Sequence, residues 1–179
     1  MPYMFKICNA GDGGVGKTTF LKRYVTERFV EESKETIGTG FFTKTLRWGK
    51  EKEKIDLTIW DLGGQERFRH IIKGFIMGAA GALLFFDLTN YTSFEHCKEW
   101  IELLRSNDEE GSSPLPILLV GSKADLDVVR AVEDQEIQEF VKMNELIGYF
   151  ETSSKNGSNI HETMEALVGY IYDTTKGIF

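Results

Sequence analysis

A glycine-rich stretch near the N-terminus, Gly11-Asp12-Gly13-Gly14-Val15-Gly16-Lys17-Thr18-Thr19, limits most strongly what this chain can fold into. It fits the pattern G-x-x-x-x-G-K-[ST], in which backbone N–H groups and a helix N-terminus surround phosphate oxygens. The glycines let the backbone approach an anion closely. Lys17 brings a positive charge to the β- and γ-phosphates, and the Thr18 hydroxyl is placed to bind Mg²⁺.

Such a pattern can also arise by chance in a glycine-rich turn, so its context matters. An extended segment, residues 5–10, precedes it, and a helical pattern follows with Phe20, Leu21 and Tyr24 on one face. Strand, loop and helix in this order are the setting that the motif requires. The stretch therefore predicts a nucleotide phosphate site formed by Gly13, Gly14, Val15, Gly16, Lys17, Thr18 and Thr19.

The length and composition are typical of one globular domain. The chain has 179 residues, of which 41% are hydrophobic and 27% are charged. Its net charge of −7 disfavours non-specific binding of nucleic acid, which requires a basic surface. We therefore expect a single domain over residues 1–179, a monomer with no nucleic-acid partner.

The two cysteines and the chain ends suggest a location. Cys8 and Cys97 lack metal-ligand spacing, and two unpaired thiols fit a reducing cytosol. No apolar run reaches the roughly 18 residues of a membrane span, and there is no signal peptide. Pro2 stands where N-myristoylation needs glycine, and residues 176–179 contain no cysteine for a prenyl group. We expect a cytoplasmic protein with no lipid anchor in this chain, and a peripheral membrane location only if a lipidated tail is missing.

Strand-like and helix-like patterns alternate along the sequence. Strands are predicted near residues 3–10, 40–48, 54–61, 81–87, 115–121 and 147–151, and helices near 16–27, 66–77, 92–105, 132–143 and 159–174. Only residues 49–53 separate the second and third strands, which predicts an antiparallel hairpin, whereas helices join the other strands. The expected fold is α/β: a three-layer α/β/α sandwich with a six-stranded, mostly parallel sheet. Asn9 interrupts the apolar first strand, and we expect it to hydrogen-bond a neighbouring loop.

Polar residues follow four of the predicted strands, at the sheet edge where α/β proteins bind ligands. After the third strand, Asp61 continues the inward row of Ile55, Leu57 and Ile59, and can reach Mg²⁺ directly or through water. Next in the sequence, Gly64 can offer an N–H to a γ-phosphate and Gln65 can orient a water molecule. The alternative is a glycine turn with a capping aspartate.

The segments at these strand ends resemble the five nucleotide-site motifs of Ras-superfamily small GTPases. They are, in order, Gly11–Thr18, Thr36-Ile37-Gly38, Trp60-Asp61-Leu62-Gly63-Gly64-Gln65-Glu66-Arg67-Phe68, Ser122-Lys123-Ala124-Asp125 and Glu151-Thr152-Ser153-Ser154-Lys155. The resemblance covers nearly the whole chain and implies the small G-protein fold of P-loop NTPases. It is closest to the Rab branch, although the glycine loop and first helix, residues 11–23, look closer to Ran.

The resemblance implies roles for individual residues. Catalysis would involve Lys17, Thr36, Gly64 and Gln65, and Mg²⁺ would be held by Thr18, Thr36 and Asp61. The guanine side of the site would comprise Phe29, Ser122, Lys123, Asp125, Leu126, Ser153, Ser154 and Lys155. Phe29 would lie edgewise over the base, and Asp125 would accept hydrogen bonds from the N1–H and amine that distinguish guanine from adenine. Thr36 would belong to switch I and residues 63–75 to switch II.

Four positions depart from the family pattern. Ser122 stands where Asn is usual, and because serine is shorter and has no amide donor, we expect a contact to the base or to the glycine loop to be lost. The loss of a buried hydrogen bond costs about 1–3 kcal/mol, so we expect weaker nucleotide binding and faster release, with the preference for guanine kept by Asp125. Gly63 and Ser154 each replace an Ala, and Ser33 stands where Ras and many Rab proteins carry Tyr.

The resemblance therefore predicts a GTP/GDP switch with slow intrinsic GTP hydrolysis, regulating intracellular vesicle or membrane trafficking or signalling. No arginine finger in cis is evident, because Arg67 and Arg69 are expected to be solvated. An exchange factor, a GTPase-activating protein and effectors would bind the switches. Phe41, Trp60 and Phe75 occupy positions that partners contact in Rab proteins, although all three could equally be core residues.

Three alternatives remain from the sequence. The first is a nucleotide-loaded scaffold that hydrolyses little, which the presence of Gln65 disfavours. The second is a Ran-like transport GTPase, although the acidic C-terminal tail of Ran is missing from these residues. An ATP-using P-loop enzyme is the third.

Overall fold

The computed structural model describes residues 2–30, 36–65, 69–108 and 113–178, which contain six strands and six α-helices. The strands are β1 (Tyr3–Gly11), β2 (Thr39–Trp48), β3 (Glu53–Leu62), β4 (Gly81–Asp87), β5 (Ile117–Ser122) and β6 (Gly148–Glu151). The α-helices are α1 (Lys17–Thr26), α2 (Arg69–Ile76), α3 (Tyr91–Glu95), α4 (Cys97–Leu104), α5 (Asp134–Met143) and α6 (Ile160–Lys176). A 3₁₀ turn, Ala124–Val129, follows β5.

The strands form one sheet in the order β2-β3-β1-β4-β5-β6. β2 and β3 pair antiparallel, and all the other neighbours are parallel, as the sequence predicts. β4 and β5 are buried throughout, because helices cover both faces of a parallel sheet. The edge strand β2 instead alternates between exposed and half-buried residues. The predicted α/β/α sandwich is confirmed.

The two faces of the sheet carry separate apolar cores. α1 and α6 cover one face, and α2 to α5 cover the other. The apolar stripe on α6 that the sequence assigns to packing is buried, as is the stripe along α3 and α4: Ile160, Met164, Leu167, Val168, Ile171, Phe94, Cys97, Ile101 and Leu104. Cys8 and Cys97 are free thiols, and burial raises the pKa of Cys8 to about 11.

Two expectations about the elements are wrong in detail. The helix predicted at 92–105 is divided at His96 into α3 and α4. At this division the Cys97 Sγ lies 3.5 Å from the Ser93 carbonyl oxygen. In a continuous helix that oxygen would accept the hydrogen bond of the Cys97 N–H. Asn9 is fully buried, but within the described residues its amide makes no hydrogen bond to a neighbouring loop or elsewhere.

Among the described residues, none of the helices has the length and apolar character needed to cross a membrane.

Candidate functional site

The phosphate loop lies at the point in the sheet where the strand order reverses. β1 is flanked by β3 on one side and β4 on the other, and the crevice beyond such a strand is where open α/β sheets bind ligands. The loop ends at Gly16, whose φ of 99° suits glycine, and α1 begins at Lys17. The Lys17 ammonium is buried and donates to the carbonyls of Gly11 and Asp12 at 2.7 Å each. The loop and its lysine therefore form a preorganised cationic site.

The three predicted metal ligands meet beside this loop. The Thr18 Oγ1 lies 2.8 Å from the Thr36 Oγ1 and donates a hydrogen bond to the Asp61 Oδ2. Asp61 is buried next to the end of β3, and it lies on the same face of the sheet as Ile59. Two hydroxyls and a carboxylate are the hard oxygen donors that Mg²⁺ prefers, so these residues fit a magnesium ion.

Two glycines hold the start of switch II against the loop and against switch I. A Cβ on Gly64 would lie 2.1 Å from the Gly13 nitrogen and 2.2 Å from the Asp12 carbonyl carbon. The Gly63 N–H donates to the Gly38 carbonyl at 2.8 Å, and a Cβ on Gly63 would lie 2.4 Å from that oxygen. Backbone contacts this close leave no room for a side chain. Gln65, which follows, is thereby kept beside the phosphate loop.

A cavity of about 460 Å³ opens between the loop and the ends of β5 and β6. Its lining is drawn entirely from the predicted nucleotide-binding set: Gly14, Gly16, Thr19, Phe29, Ser122, Lys123, Asp125, Leu126, Ser154 and Lys155. The Ser153 hydroxyl donates to the Asp125 Oδ1 at 2.6 Å, and the Lys123 ammonium pairs with Asp87 at 2.6 Å. The volume and the mixed polar and apolar lining suit a small-molecule ligand.

Ser122 retains part of what the sequence expects it to lose. Its hydroxyl is buried, 2.5 Å from the carbonyl oxygen of Val15 in the glycine loop and 3.0 Å from that of Phe86. The contact to the glycine loop, one of the two that we expected serine to lose, is therefore retained. A serine donates only one proton, however, and lacks the second amide donor of an asparagine.

We predict that Ser122→Asn slows GDP release by about 2–10-fold, because one additional neutral hydrogen bond contributes about 0.5–1.5 kcal/mol. Displacement of a fluorescent GDP analogue measures the rate. Ser122→Ala is the control, and it should release GDP faster than the parent because the Val15 contact is lost. An unchanged off-rate in Ser122→Asn would contradict the prediction.

A partly buried ion pair, which the sequence does not reveal, joins the two loops on the Asp125 side of the cavity. The Arg130 guanidinium donates to both oxygens of Glu151, at 3.1 and 2.7 Å, and to the Val132 carbonyl at 2.8 Å. The Tyr149 hydroxyl also donates to Glu151. Arg130 follows the 3₁₀ turn that carries Asp125, and Glu151 is the last residue of β6, directly before the loop that carries Ser153. The pair therefore fixes the distance between these two loops, and only the tertiary fold brings it together.

The three aromatic residues suggested as a partner surface form one stack. The ring centroids of Phe41 and Trp60 are 6.0 Å apart, and those of Trp60 and Phe75 are 5.3 Å apart. Phe41 is 64% exposed, whereas Trp60 and Phe75 are half-buried against the core under α2 and α4. The three residues are therefore neither a fully exposed partner surface nor simply core residues, because Phe41 lies in solvent while Trp60 and Phe75 pack on the core.

Arg69 is not solvated as the sequence predicts. Its guanidinium pairs with Glu99 and lies 3.6 Å from Asp12, and it stacks over the ring of Trp100. These contacts cover the side chain, which is only 23% exposed. The prediction fails because helix α4 lies across the start of α2. Arg67, like Ser33, Glu66 and Phe68, lies outside the described residues.

His96, to which the sequence assigns no role, contacts the phosphate loop. Its Nδ1 lies 2.5 Å from the Asp12 Oδ2, and this hydrogen bond raises the pKa of His96 above its usual value. A raised folded-state pKa stabilises the protein below the unfolded value of about 6.5, and this stabilisation is lost as the pH rises through the folded-state pKa.

We therefore predict that the melting temperature of His96→Gln falls further below the parent's at pH 5.5 than at pH 8.5. Thermal melts of the two proteins across this range test it. A difference between parent and His96→Gln that grows with pH would contradict the assignment.

The geometry defines a class of protein: a nucleotide-binding protein with a P-loop, oxygen donors that fit Mg²⁺, and a carboxylate on the wall of the adjoining cavity. Comparison with known proteins agrees. The chain matches the Ras family over residues 6–173. It is 38% identical over 174 residues to the Ras-related protein RABA4b of Arabidopsis thaliana, covering 97% of this chain and 75% of the relative.

Two further relatives are similar over nearly the same length. The Ras-related protein Rab-11C of Dictyostelium discoideum is 38% identical over 170 residues, which cover 95% of this chain and 73% of the relative. GTP-binding protein ypt3 of Schizosaccharomyces pombe is 39% identical over 170 residues, covering 95% and 77%. The chain therefore belongs to the Ras family of small GTPases, and within it to the Rab branch.

This membership establishes the activity. The protein is a small GTPase of the Rab type, a GTP/GDP switch of the class that regulates vesicle trafficking. It hydrolyses GTP to GDP and phosphate, with Mg²⁺ as the usual cofactor of the family. Rab GTPases in general interact with guanine nucleotide, exchange factors, GTPase-activating proteins and effectors.

Proposed function

We propose that residues 1–179 act as a single G domain in which the phosphate loop, 11–18, holds the β- and γ-phosphates of GTP. The buried Lys17 ammonium already faces two loop carbonyls, and it would exchange one of them for phosphate oxygens. Gly13, Gly14, Val15 and Gly16 would donate backbone N–H groups, and Thr19 lines the adjoining cavity.

Thr18, Thr36 and Asp61 are the proposed holders of Mg²⁺. Their oxygens converge within hydrogen-bond distance of one another, and this convergence from three separate segments is the observation that carries the proposal. The metal supplies charge stabilisation at the phosphate oxygens. Thr36 couples switch I to the metal site, so its contacts change when the γ-phosphate is lost.

For hydrolysis, we propose that Gln65 orients the attacking water and that the Gly64 N–H binds the γ-phosphate. The close contact of Gly64 with the phosphate loop supports this, because it leaves Gln65 next to the reacting phosphate. With Arg69 engaged by Asp12 and Glu99, the described residues offer no candidate for an arginine finger in cis. Intrinsic turnover is therefore slow, since an arginine supplied by a partner contributes about 10³–10⁵ in rate.

For recognition of guanine, we propose that Asp125 accepts from the base, Phe29 and Lys123 cover its faces, and the backbone after β6 meets its O6. The cavity residues Ser122, Leu126, Ser153, Ser154 and Lys155 complete the pocket. The hydrogen bond from Ser153 to Asp125 supports this arrangement, because it leaves the second carboxylate oxygen available to the base.

The partner-binding surface is proposed to be the aromatic stack of Phe41, Trp60 and Phe75 together with the adjoining switches. Its support is a solvent-exposed aromatic next to segments that the γ-phosphate orders. The protein is proposed to act as a monomer in the cytoplasm. The two free thiols support this compartment, because unpaired cysteines are typical of a reducing environment.

The test is to purify the protein, identify its retained nucleotide, and measure single-turnover phosphate release from the GTP complex with Mg²⁺. Gln65→Leu should retain GTP and release phosphate at least roughly tenfold more slowly, since it cannot orient water. Gln138→Leu on the exposed face of α5 is the control and should match the parent. Equal rates for Gln65→Leu and the parent would refute the role of Gln65.

A further inference from the structure

A cluster of charged and aromatic side chains centred on Asp12 joins the phosphate loop to α4 and to the start of α2. The Trp100 Nε1 donates to the Asp12 Oδ1 at 2.9 Å, and the His96 Nδ1 lies 2.5 Å from the Oδ2. The Arg69 guanidinium lies 3.6 Å from the Oδ1 and 5.1 Å from the centroid of the Trp100 ring. Asp12 thus connects three elements that are distant in sequence.

Most of the cluster is shielded from solvent. Trp100 is 1% exposed, and the side chains of Asp12 and Arg69 are 20% and 23% exposed. None of the described residues that line the nucleotide cavity belongs to the cluster. Asp12 therefore directs its carboxylate towards α4 and the start of α2 rather than into this cavity, and we expect its side chain not to bind the nucleotide.

Asp12 holds both ends of the segment that contains Gln65. Its backbone carbonyl lies against Gly64, where a Cβ would come within 2.6 Å of the carbonyl oxygen. Its carboxylate lies against Arg69, the first residue of α2, five positions later. Gln65 directly follows Gly64, so contacts of Asp12 on either side of Gln65 restrict where its backbone can lie, and such restriction is what positions a catalytic group.

We propose that Asp12, braced by Trp100 and His96, is a positioning residue for GTP hydrolysis that acts by holding Arg69 and thereby fixing Gln65 beside the phosphate loop. The inference rests on the role proposed above for Gln65. It predicts that the Asp12–Arg69 pair affects the hydrolysis step and leaves nucleotide affinity unchanged.

The experiment measures single-turnover phosphate release and GDP affinity for Asp12→Asn, Arg69→Gln, Arg69→Lys and the double variant Asp12→Asn/Arg69→Gln. Asp12→Asn keeps an oxygen for Trp100 but removes the charge that attracts Arg69. It should slow hydrolysis about tenfold, since a displacement of about 1 Å costs up to 10²-fold, with GDP affinity unchanged. Arg69→Gln should do the same, and Arg69→Lys should restore most of the rate.

The double variant should be no slower than Asp12→Asn alone, because the two residues act as one unit. Glu102→Gln is the matched control: it removes an exposed carboxylate from the same helix, α4, and should hydrolyse GTP like the parent. If Asp12→Asn does not fold, Trp100→Phe provides the same test, since it keeps the buried ring and removes the donor to Asp12.

Parental hydrolysis in folded Asp12→Asn would overturn the inference, as would rate losses that multiply in the double variant or a matching loss of GDP affinity. Gln65→Leu is measured in parallel. If it hydrolyses GTP at the parental rate, the role proposed for Gln65 fails. If it is slow while Asp12→Asn is not, only the positioning role of Asp12 fails.

Discussion

Asp125→Asn is expected to lower the affinity for GDP by about 10²–10⁴, because two hydrogen bonds to a charged group contribute about 1.5–3 kcal/mol each. The same change should favour xanthosine diphosphate over GDP. Xanthine carries a carbonyl where guanine carries its amine, and the asparagine amide donates to that carbonyl. The Ser153 hydroxyl can still donate to the Oδ1 of an asparagine, so the new side chain keeps its orientation.

Competition of the two unlabelled diphosphates against a fluorescent nucleotide measures this preference. Asp127→Asn is the matched control: it lies in the same 3₁₀ turn, its side chain is 80% exposed, and it is absent from the described lining of the cavity. It should keep the parental preference for GDP. If Asp125→Asn still prefers GDP, Asp125 does not read the base.

Gly64→Ala is expected to slow single-turnover GTP hydrolysis by about 10²-fold while GDP still binds. The added methyl group would overlap backbone atoms of the phosphate loop at 2.1–2.6 Å, so the start of switch II must move away. Displacement of a reacting group by about 1 Å costs about this factor. GDP binding is retained because the diphosphate needs the loop and Lys17 rather than a closed switch II.

Gly74→Ala is the matched control for this change. It lies in α2, and no atom comes within 4 Å of its added Cβ. It should hydrolyse GTP like the parent and gain up to about 1 kcal/mol in stability, since alanine is the better helix former. Parental hydrolysis in Gly64→Ala, measured by phosphate release, would mean that the contact with the loop is not needed for the reaction.

Local sequence patterns were sufficient for most of the fold and for the parts of the site. The buried runs of β4 and β5, the amphipathic face of α1 and the short turn between β2 and β3 each depend on near neighbours in the chain. Chemistry also limits which residues can cradle phosphate or hold Mg²⁺, so Lys17, Thr18 and Asp61 were recognisable from their types and spacing. Their meeting at one edge follows from the shared direction of parallel strands.

What the sequence by itself determined is therefore the class of fold and which residue types stand at the proposed phosphate and metal sites. Only the tertiary structure decided the partners of Arg69 and Asp12, the brace between Arg130 and Glu151, and the retained contact of Ser122 with Val15. The residues that these contacts join are separated by between 21 and 107 positions in the sequence. Their pairing depends on how helices and loops pack across the sheet, which no periodicity in the chain encodes.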